Sequence, residues 1–190
     1  MELFSNFSVQ LHVNTLISNY SHCRMSAASS EKESRFMAIV NDNRRMLCKV
    51  CYMYADSDEH FKDLYQEVLA NLWQGIDSYR GDSRLSTWLY RTAINTCVTY
   101  FRHNGKHDRG KVGLDTLADL VSDDSDRGAD LRRMYHLIGG LDKMDKALIL
   151  MWLDEKSYEE IAGVTGLPRN TVATRLHRIK LRLKEQNEKE

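Results

Sequence analysis

Proline is nearly missing from this chain, at one residue in 190, and glycine is sparse at ten. All-β folds need frequent turn chemistry, so this shortage argues against them and suits helices. The four cysteines (Cys23, Cys48, Cys51, Cys97) are too few and too scattered for the disulfide framework of a small secreted domain, and fit a reducing compartment. No stretch approaches the roughly 20 apolar residues that span a bilayer. The opening segment MELFSNFSVQLHVNTLISNYSHCRM has neither a basic start nor a continuous apolar block, so it does not read as a signal peptide and the cytoplasm is the expected location. That segment also lacks helical patterning, which suggests that translation begins at Met25 and that residues 1–30 form an extension outside the fold. A phosphate-cradling glycine loop is lacking too, so no nucleotide site or other cofactor is expected. Neither sign of charge is in excess, with 27 basic residues against 27 acidic. That balance hides a segregation along the chain, which is more informative than the total.

Helical periodicity supplies most of what is present. Phe36, Ile39, Val40, Leu47, Val50, Cys51 and Tyr54 recur at roughly helical spacing. Phe61, Leu64, Tyr65, Val68, Leu69, Leu72, Trp73 and Ile76 form the apolar stripe of an amphipathic helix. Its opposite face carries Asp63, Gln66, Glu67 and Asn71. SYRGDSR (78–84) reads as a loop, and a helix follows over about 85–101. Residues 115–130 hold six Asp and one Arg, the composition of an exposed acidic linker. Helical patterning resumes at Leu131, is interrupted at Gly139-Gly140, and continues from Asp142 to Leu153. The expected fold is all-α: two small helical domains, 31–105 and 131–186, joined by a flexible acidic linker over 106–130.

The segment SYEEIAGVTGLPRNTVATRLHRIK (157–180) has the pattern of a helix-turn-helix. Ser157 and Glu160 form a capping box that starts a helix, with Tyr158, Ile161 and Ala162 inward. Gly163 and Gly166 permit the tight turn, and Pro168 suits the first position of the next helix. Val172, Leu176, Ile179 and Leu183 form the buried stripe of that helix. Arg169, Asn170, Thr171, Thr174, Arg175, His177 and Arg178 are left to face outward, and residues 169–184 hold six Lys or Arg and no acid. Arg can bond guanine bidentately, Asn can bond adenine, and Thr can meet a phosphate or a thymine methyl. The alternative is a solvated charged face, which explains the charge but not the turn chemistry in front of it.

A second basic region precedes the linker. Residues 80–111 carry seven Lys or Arg and two Asp, interleaved with aromatics and with Ser83, Ser86 and Thr87. Positive charge and stacking surfaces are the ingredients of single-strand binding. Core packing explains the spacing of Trp88, Leu89 and Tyr100 at least as well.

Three motifs stand in order along the chain: DLYQEVLANLW (63–73), YRGDSRLSTWLYRTAIN (79–95) and LDEKSYEEIAGVTGLPRNTVATRLHR (153–178). Together they resemble the RNA polymerase sigma factors of the extracytoplasmic-function (ECF) group in the sigma-70 family, which retain only the second and fourth conserved regions. The resemblance covers nearly everything from Ser34 to Lys184. It implies a non-catalytic initiation subunit. Asp63, Gln66, Glu67 and Asn71 would dock on the clamp helices of the largest subunit of core RNA polymerase. Tyr79, Arg80, Ser83, Arg84, Ser86, Thr87, Trp88, Arg91, Asn95 and Arg102 would recognise the −10 element and hold its melted non-template strand. The outward residues at 169–178 would read the −35 element as duplex. An anti-sigma partner is common in that group, although no surface for one is legible here. Two positions depart from the family pattern: Thr99 stands where an Asp is frequent, and Leu141-Asp142 replaces the usual Leu-Pro.

Without polymerase, the acidic linker is expected to lie against the basic domains and weaken DNA binding. Two other readings compete. A transcription regulator with the same helix-turn-helix would use residues 31–105 to sense a signal or dimerise. A DNA-processing enzyme would need a rigid metal site, and Asp123, Asp124 and Asp126 sit on the expected linker. The Cys48-x-x-Cys51 pair lies in an apolar stripe and reads as packing rather than a metal site.

Overall fold

A computed structural model describes residues 27–104 and 127–188. Residues 1–26 of the expected extension (1–30) and 106–126 of the expected linker (106–130) lie outside the described residues, whereas 27–30 and 127–130 are helical. The described residues form eight α-helices and one short 3₁₀ turn: α1 Ala27–Asp42, α2 Arg44–Tyr54, α3 Asp58–Gly75, the turn Ile76–Ser78, α4 Leu85–Asn104, α5 Arg127–Gly139, α6 Lys143–Leu153, α7 Tyr158–Thr165 and α8 Arg169–Asn187. The all-α expectation is met.

The periodic stretch at 31–54 is two helices rather than one. They divide at Asn43, whose side-chain amide donates to the Ile39 carbonyl at 2.9 Å. An Asn side chain that bonds nearby backbone competes with the helical ladder, which accounts for the break. Helix α3 starts where Ser57 accepts from the His60 N–H, with Asp58 and Glu59 in its first turn to complement the helix dipole. Helix α4 runs back along α3: Gly75 meets Trp88, Asn71 donates to Thr96 at 3.1 Å, and the rings of His60 and Tyr100 lie 5.2 Å apart. Leu64, Val68, Leu69 and Leu72 of α3 are buried along with Leu89, Ala93 and Cys97 of α4 and Leu47, Val50 and Cys51 of α2. Burial raises the Cys51 thiol well above its ordinary range, and neighbouring Cys97 adds to the effect. Cys51 is therefore an inert packing residue.

In the second half, Asp142 caps α6 by accepting from the Asp145 N–H at 2.8 Å. The departure from Leu-Pro at this point thus preserves a helix start by another means. Helix α6 closes with the Lys156 N–H bonded to the Met151 carbonyl and Glu155 at φ 56°, the geometry of a Schellman stop. The expected capping box of Ser157 and Glu160 is present. Of the two glycines expected to make the turn, only Gly166 does so, at φ 74° and with its N–H on the Ala162 carbonyl. Gly163 lies inside α7. Pro168 is extended (ψ 143°) and immediately precedes α8 rather than opening it. Val172, Leu176 and Ile179 are buried as expected.

The two halves pack against each other. One apolar core runs from Phe36 through Leu89 to Leu148, Ile161 and Leu176. The rings of Tyr52 and Tyr135 meet edge to face across the seam at 5.8 Å.

Candidate nucleic-acid interface

The loop between the 3₁₀ turn and α4 is held at both ends. Tyr79 donates its hydroxyl to the Ser83 carbonyl at 2.6 Å, and its ring lies 5.3 Å from that of Trp88. Gly81 takes φ 82°, a conformation that few other residues adopt cheaply, within the six-residue loop 79–84. Trp88 in turn rests on Gly75: a Cβ there would stand 3.2 Å from the indole. Tyr79 and Trp88 are both half-buried and form an aromatic ledge above the start of α4. Arg80, Ser83 and Arg84 are exposed around it, and Arg91 and Asn95 continue along the outer face of α4. Thr87 faces inward and is buried at 8% exposure. Arg102 lies within α4, and its side chain is outside the described residues.

Three of these expected −10 residues already have partners on the second half. Arg84 pairs with Glu160 at 3.1 Å, and Arg91 donates to the Gly163 carbonyl. Ser86 accepts from Lys156 at 3.1 Å. Glu160 is held below its usual range, first by the Ser157 N–H and hydroxyl of the capping box and then by Arg84 and Lys156. Nearby, the Asp154 carboxylate accepts from both Lys49 of α2 and the Tyr90 hydroxyl of α4. Tyr90 is almost fully buried, and burial together with Asp154 pushes its phenol far up. The same causes push Tyr135 up to about 12. Tyr54 donates to the Lys143 carbonyl at 2.6 Å, and Lys146 donates to the Met53 carbonyl at 3.0 Å.

The second basic surface is the outer side of α8. Asn170, Thr171, Thr174, His177 and Arg178 are exposed, and the Thr174 hydroxyl donates to the Asn170 carbonyl at 2.9 Å. The first turn of α8 has no acidic residue, so its free N–H groups and positive dipole end stand open to an anion. Arg169 is exposed and paired with Glu159, whose carboxyl it holds below its usual range. Arg175 differs from the others. It is half-buried, and its guanidinium pairs with Asp145 at 2.7 Å and Asp142 at 3.4 Å. Burial and then Asp142 push Asp145 up, against the opposing pull of Arg175.

On α3, Asp63 and Glu67 are exposed while Gln66 and Asn71 are half-buried beside them. The four form one outward strip opposite the buried stripe. Sequence reasoning did not anticipate the seam residues Lys49, Tyr54, Tyr90, Lys143, Asp154 and Lys156. Their partners lie far away along the chain, 105 residues for Lys49 with Asp154 and 64 for Tyr90 with Asp154, and no local pattern marks such pairs. Among the described residues, no group of three or more His, Cys, Asp or Glu side chains could hold a metal, and no helix is long and apolar enough to cross a membrane.

Comparison with known proteins finds two family matches, sigma-70 region 2 over residues 39–107 and sigma-70 region 4 over residues 131–183. The RNA polymerase sigma factor YlaC of Bacillus subtilis is 32% identical over 135 residues, covering 67% of this chain and 77% of that protein. The ECF RNA polymerase sigma factor SigW of the same organism is 27% identical over 177 residues, covering 86% and 94%. The ECF RNA polymerase sigma-E factor of Escherichia coli is 33% identical over 132 residues, covering 61% and 68%. Two solved structures share the fold. RpoE bound to the anti-sigma factor NepR, from Bartonella quintana, superposes with a TM-score of 0.64 at 19% identity, over 82% of this chain and 96% of that one. CnrH bound to the cytosolic domain of CnrY gives 0.61 at 17%, over 95% and 97%.

Proposed function

The chain belongs to the ECF group of the sigma-70 family of RNA polymerase sigma factors, which serve promoter-specific initiation, and from that premise we propose how its two basic surfaces divide the work. Residues 31–105 act as the region 2 domain and residues 131–186 as the region 4 domain, with 106–130 as their tether.

Helix α8 reads the −35 element as duplex. Asn170, Thr171, Thr174, His177 and Arg178 face the major groove, and the open N-terminus of the helix meets a phosphate. Arg169 reaches the DNA by exchanging Glu159 for a phosphate. Arg175 keeps its carboxylate partners and fixes the angle of α8 on α6 while it presents its remaining N–H groups.

The Tyr79–Trp88 ledge with Arg80, Ser83, Arg84, Ser86, Arg91, Asn95 and Arg102 recognises the −10 element and holds the melted non-template strand. Thr87 supports the ledge from beneath. Capturing an extruded base recovers part of the few kcal/mol lost in unstacking it. The α3 strip of Asp63, Gln66, Glu67 and Asn71 docks on the clamp helices of the largest polymerase subunit. No bond is made or broken by this chain, and melting is driven by binding energy in the cytoplasm. One solved neighbour is held by an anti-sigma factor, and a partner of that kind is proposed here also.

The observation that carries this reading is the coexistence of an exposed, acid-free α8 surface with a separate aromatic and basic ledge on α4. Run-off transcription with purified core polymerase tests it: promoter-specific transcripts should appear only when this chain is added. Identical start sites and rates without it reject the function. Changing Asp63 and Gln66 together to Ala should lower core affinity without altering the thermal melt of the free chain, and unchanged affinity removes α3 from the interface.

A further inference from the structure

One cation on α8 is held unlike its neighbours. We propose that Asp142 and Asp145 are positioning residues for −35 recognition: they fix the Arg175 guanidinium so that it reads one guanine and stays off the phosphates. The inference rests on the assignment of α8 to the −35 duplex.

Three observations carry it. First, Arg175 is placed between the recognition face and the core. It lies four residues after Thr171 and three before Arg178, both exposed, and so shares their side of α8. It also borders the buried positions Val172, Leu176 and Ile179. Its side chain is 32% exposed, against 57% for Arg169. A guanidinium already held by packing and ion pairs loses little further freedom when it bonds a base.

Second, the carboxylates occupy one edge of the guanidinium and leave another. Asp145 Oδ1 accepts from Nε at 3.0 Å and stands 2.7 Å from Nη2. Asp142 Oδ2 makes a longer contact with Nη2, at 3.4 Å. None of these contacts uses Nη1. The guanidinium is a rigid planar fork of five N–H donors. With its Nε side taken, the end bearing Nη1 is the part left for DNA. Nη1 together with the outer N–H of Nη2 suits the O6 and N7 acceptors of guanine.

Third, charge discriminates between the two things that DNA offers. One cation beside two carboxylates is a net negative cluster, and the Asp142 side chain is exposed. An approaching phosphate meets repulsion there, whereas the guanine edge is neutral and presents acceptors. Arg169 has the one exposed partner Glu159, and exchanging it for a phosphate meets no second carboxylate. The aim is set by the local fold. Asp142 Oδ1 accepts from the Asp145 N–H at 2.8 Å while Oδ2 meets Arg175, so one residue both starts α6 and orients the reader on α8. A proline at this position would supply neither the cap nor the charge, which gives the departure from Leu-Pro a role in recognition.

The test uses holoenzyme assembled from core polymerase and the full chain. Transcripts are sequenced from a promoter library randomised across the −35 element with the −10 element constant, and affinity for one strong member is measured against salt. Wild type should favour guanine at one −35 position, and Arg175→Ala should erase that preference. Asp145→Asn should cut it about fivefold or more at the same position. It should also steepen the salt dependence by about one unit of slope, because the released guanidinium takes a phosphate. Asp142→Asn keeps the cap and should shift both readouts in the same direction by less, and it carries the test alone if Asp145→Asn does not fold. Glu185→Gln, an equal charge change near the far end of α8, should alter neither. A preference that Arg175→Ala erases but neither Asp variant changes overturns the positioning role and leaves α8 as the −35 reader. A uniform drop across the library, with no steeper slope, shows a structural contact only and also overturns it, as does a matching shift with Glu185→Gln. A profile with no guanine position that needs Arg175 overturns the inference too. In that event the assignment of α8 survives if Asn170→Ala and Arg178→Ala still reshape the profile, and fails with the inference if they do not.

Discussion

The two basic surfaces of this chain look alike in composition and differ in where their cations find partners. On α8 the paired cations, Arg169 and Arg175, find their carboxylates within their own half, and the first turn of the helix carries no acid. At the start of α4 and along it the partners come from the other half instead: Arg84 and Arg91 each meet an oxygen of α7 across the seam, and the Arg84 side chain stays exposed. A count of positive charge therefore overstates what the free protein can offer to nucleic acid.

The most severe way to break this comparison is to delete the cations that pair across the seam. Arg84→Ala with Arg91→Ala should lower open-complex formation by holoenzyme about 10- to 100-fold, since each contact with an extruded strand is worth on the order of 1 kcal/mol or more. Permanganate footprinting reads the melted bases. Duplex binding through α8 should be unaffected, and a matching loss there would merge the two surfaces into one.

A smaller effect sharpens the exception on the open side. Arg175→Ala removes a guanidinium held by Asp145 and Asp142, and should weaken −35-dependent promoters about tenfold while lowering the thermal midpoint. Lost promoter use with an unchanged melt would make Arg175 a reader only. Unaltered transcription across a promoter library would remove it from recognition.

The turns that aim the helices give a pair of opposite, smaller shifts. Gly166→Ala places a side chain at φ 74° and should destabilise the chain by about 1 kcal/mol, whereas Glu155→Gly relieves φ 56° and should stabilise it by a similar amount, about 1 kcal/mol, in denaturant titration. Shifts of equal sign would show that one of the two turns is set by something other than its backbone conformation.

The smallest expected effect is that of pH. The capping-box bonds from Ser157 hold the Glu160 carboxyl below the usual carboxylate range, so its contribution to stability is present above that range and is lost as pH falls through the lower folded-state value. Thermal melts between pH 5.5 and 3.5 should show a loss that Glu160→Gln abolishes. A variant with the same pH profile as wild type would leave Glu160 without a charge-dependent role.

Legibility in the sequence followed the range of the interaction. The capping box at Ser157 and Glu160, the buried positions Val172, Leu176 and Ile179, and the stripe along α3 all arise from contacts within one or two helical turns, and these were read directly. The turn residue was half right. Two glycines three apart are equally permissive in principle, and only the length of α7 decides that Gly166 is the one in the left-handed conformation. The break at Asn43 was missed because apolar spacing continues across it, while the side-chain bond that ends the helix leaves no trace in a hydrophobic pattern. Trp88 could have been core or ledge by spacing. It is half-buried, with Gly75 beneath it and Tyr79 beside it.

The sequence alone settled most of the helices, the helix-turn-helix and the likeness to a two-region initiation factor, because periodicity, caps and motif order are local or simply ordered along the chain. The meeting of the halves came only from tertiary structure: Asp154 finding Lys49 and Tyr90, and Glu160 turning from a cap into a counter-ion for Arg84. A carboxylate has no preferred direction until the backbone has been placed, and one free to pair with any neighbouring cation takes whichever the packing brings within reach.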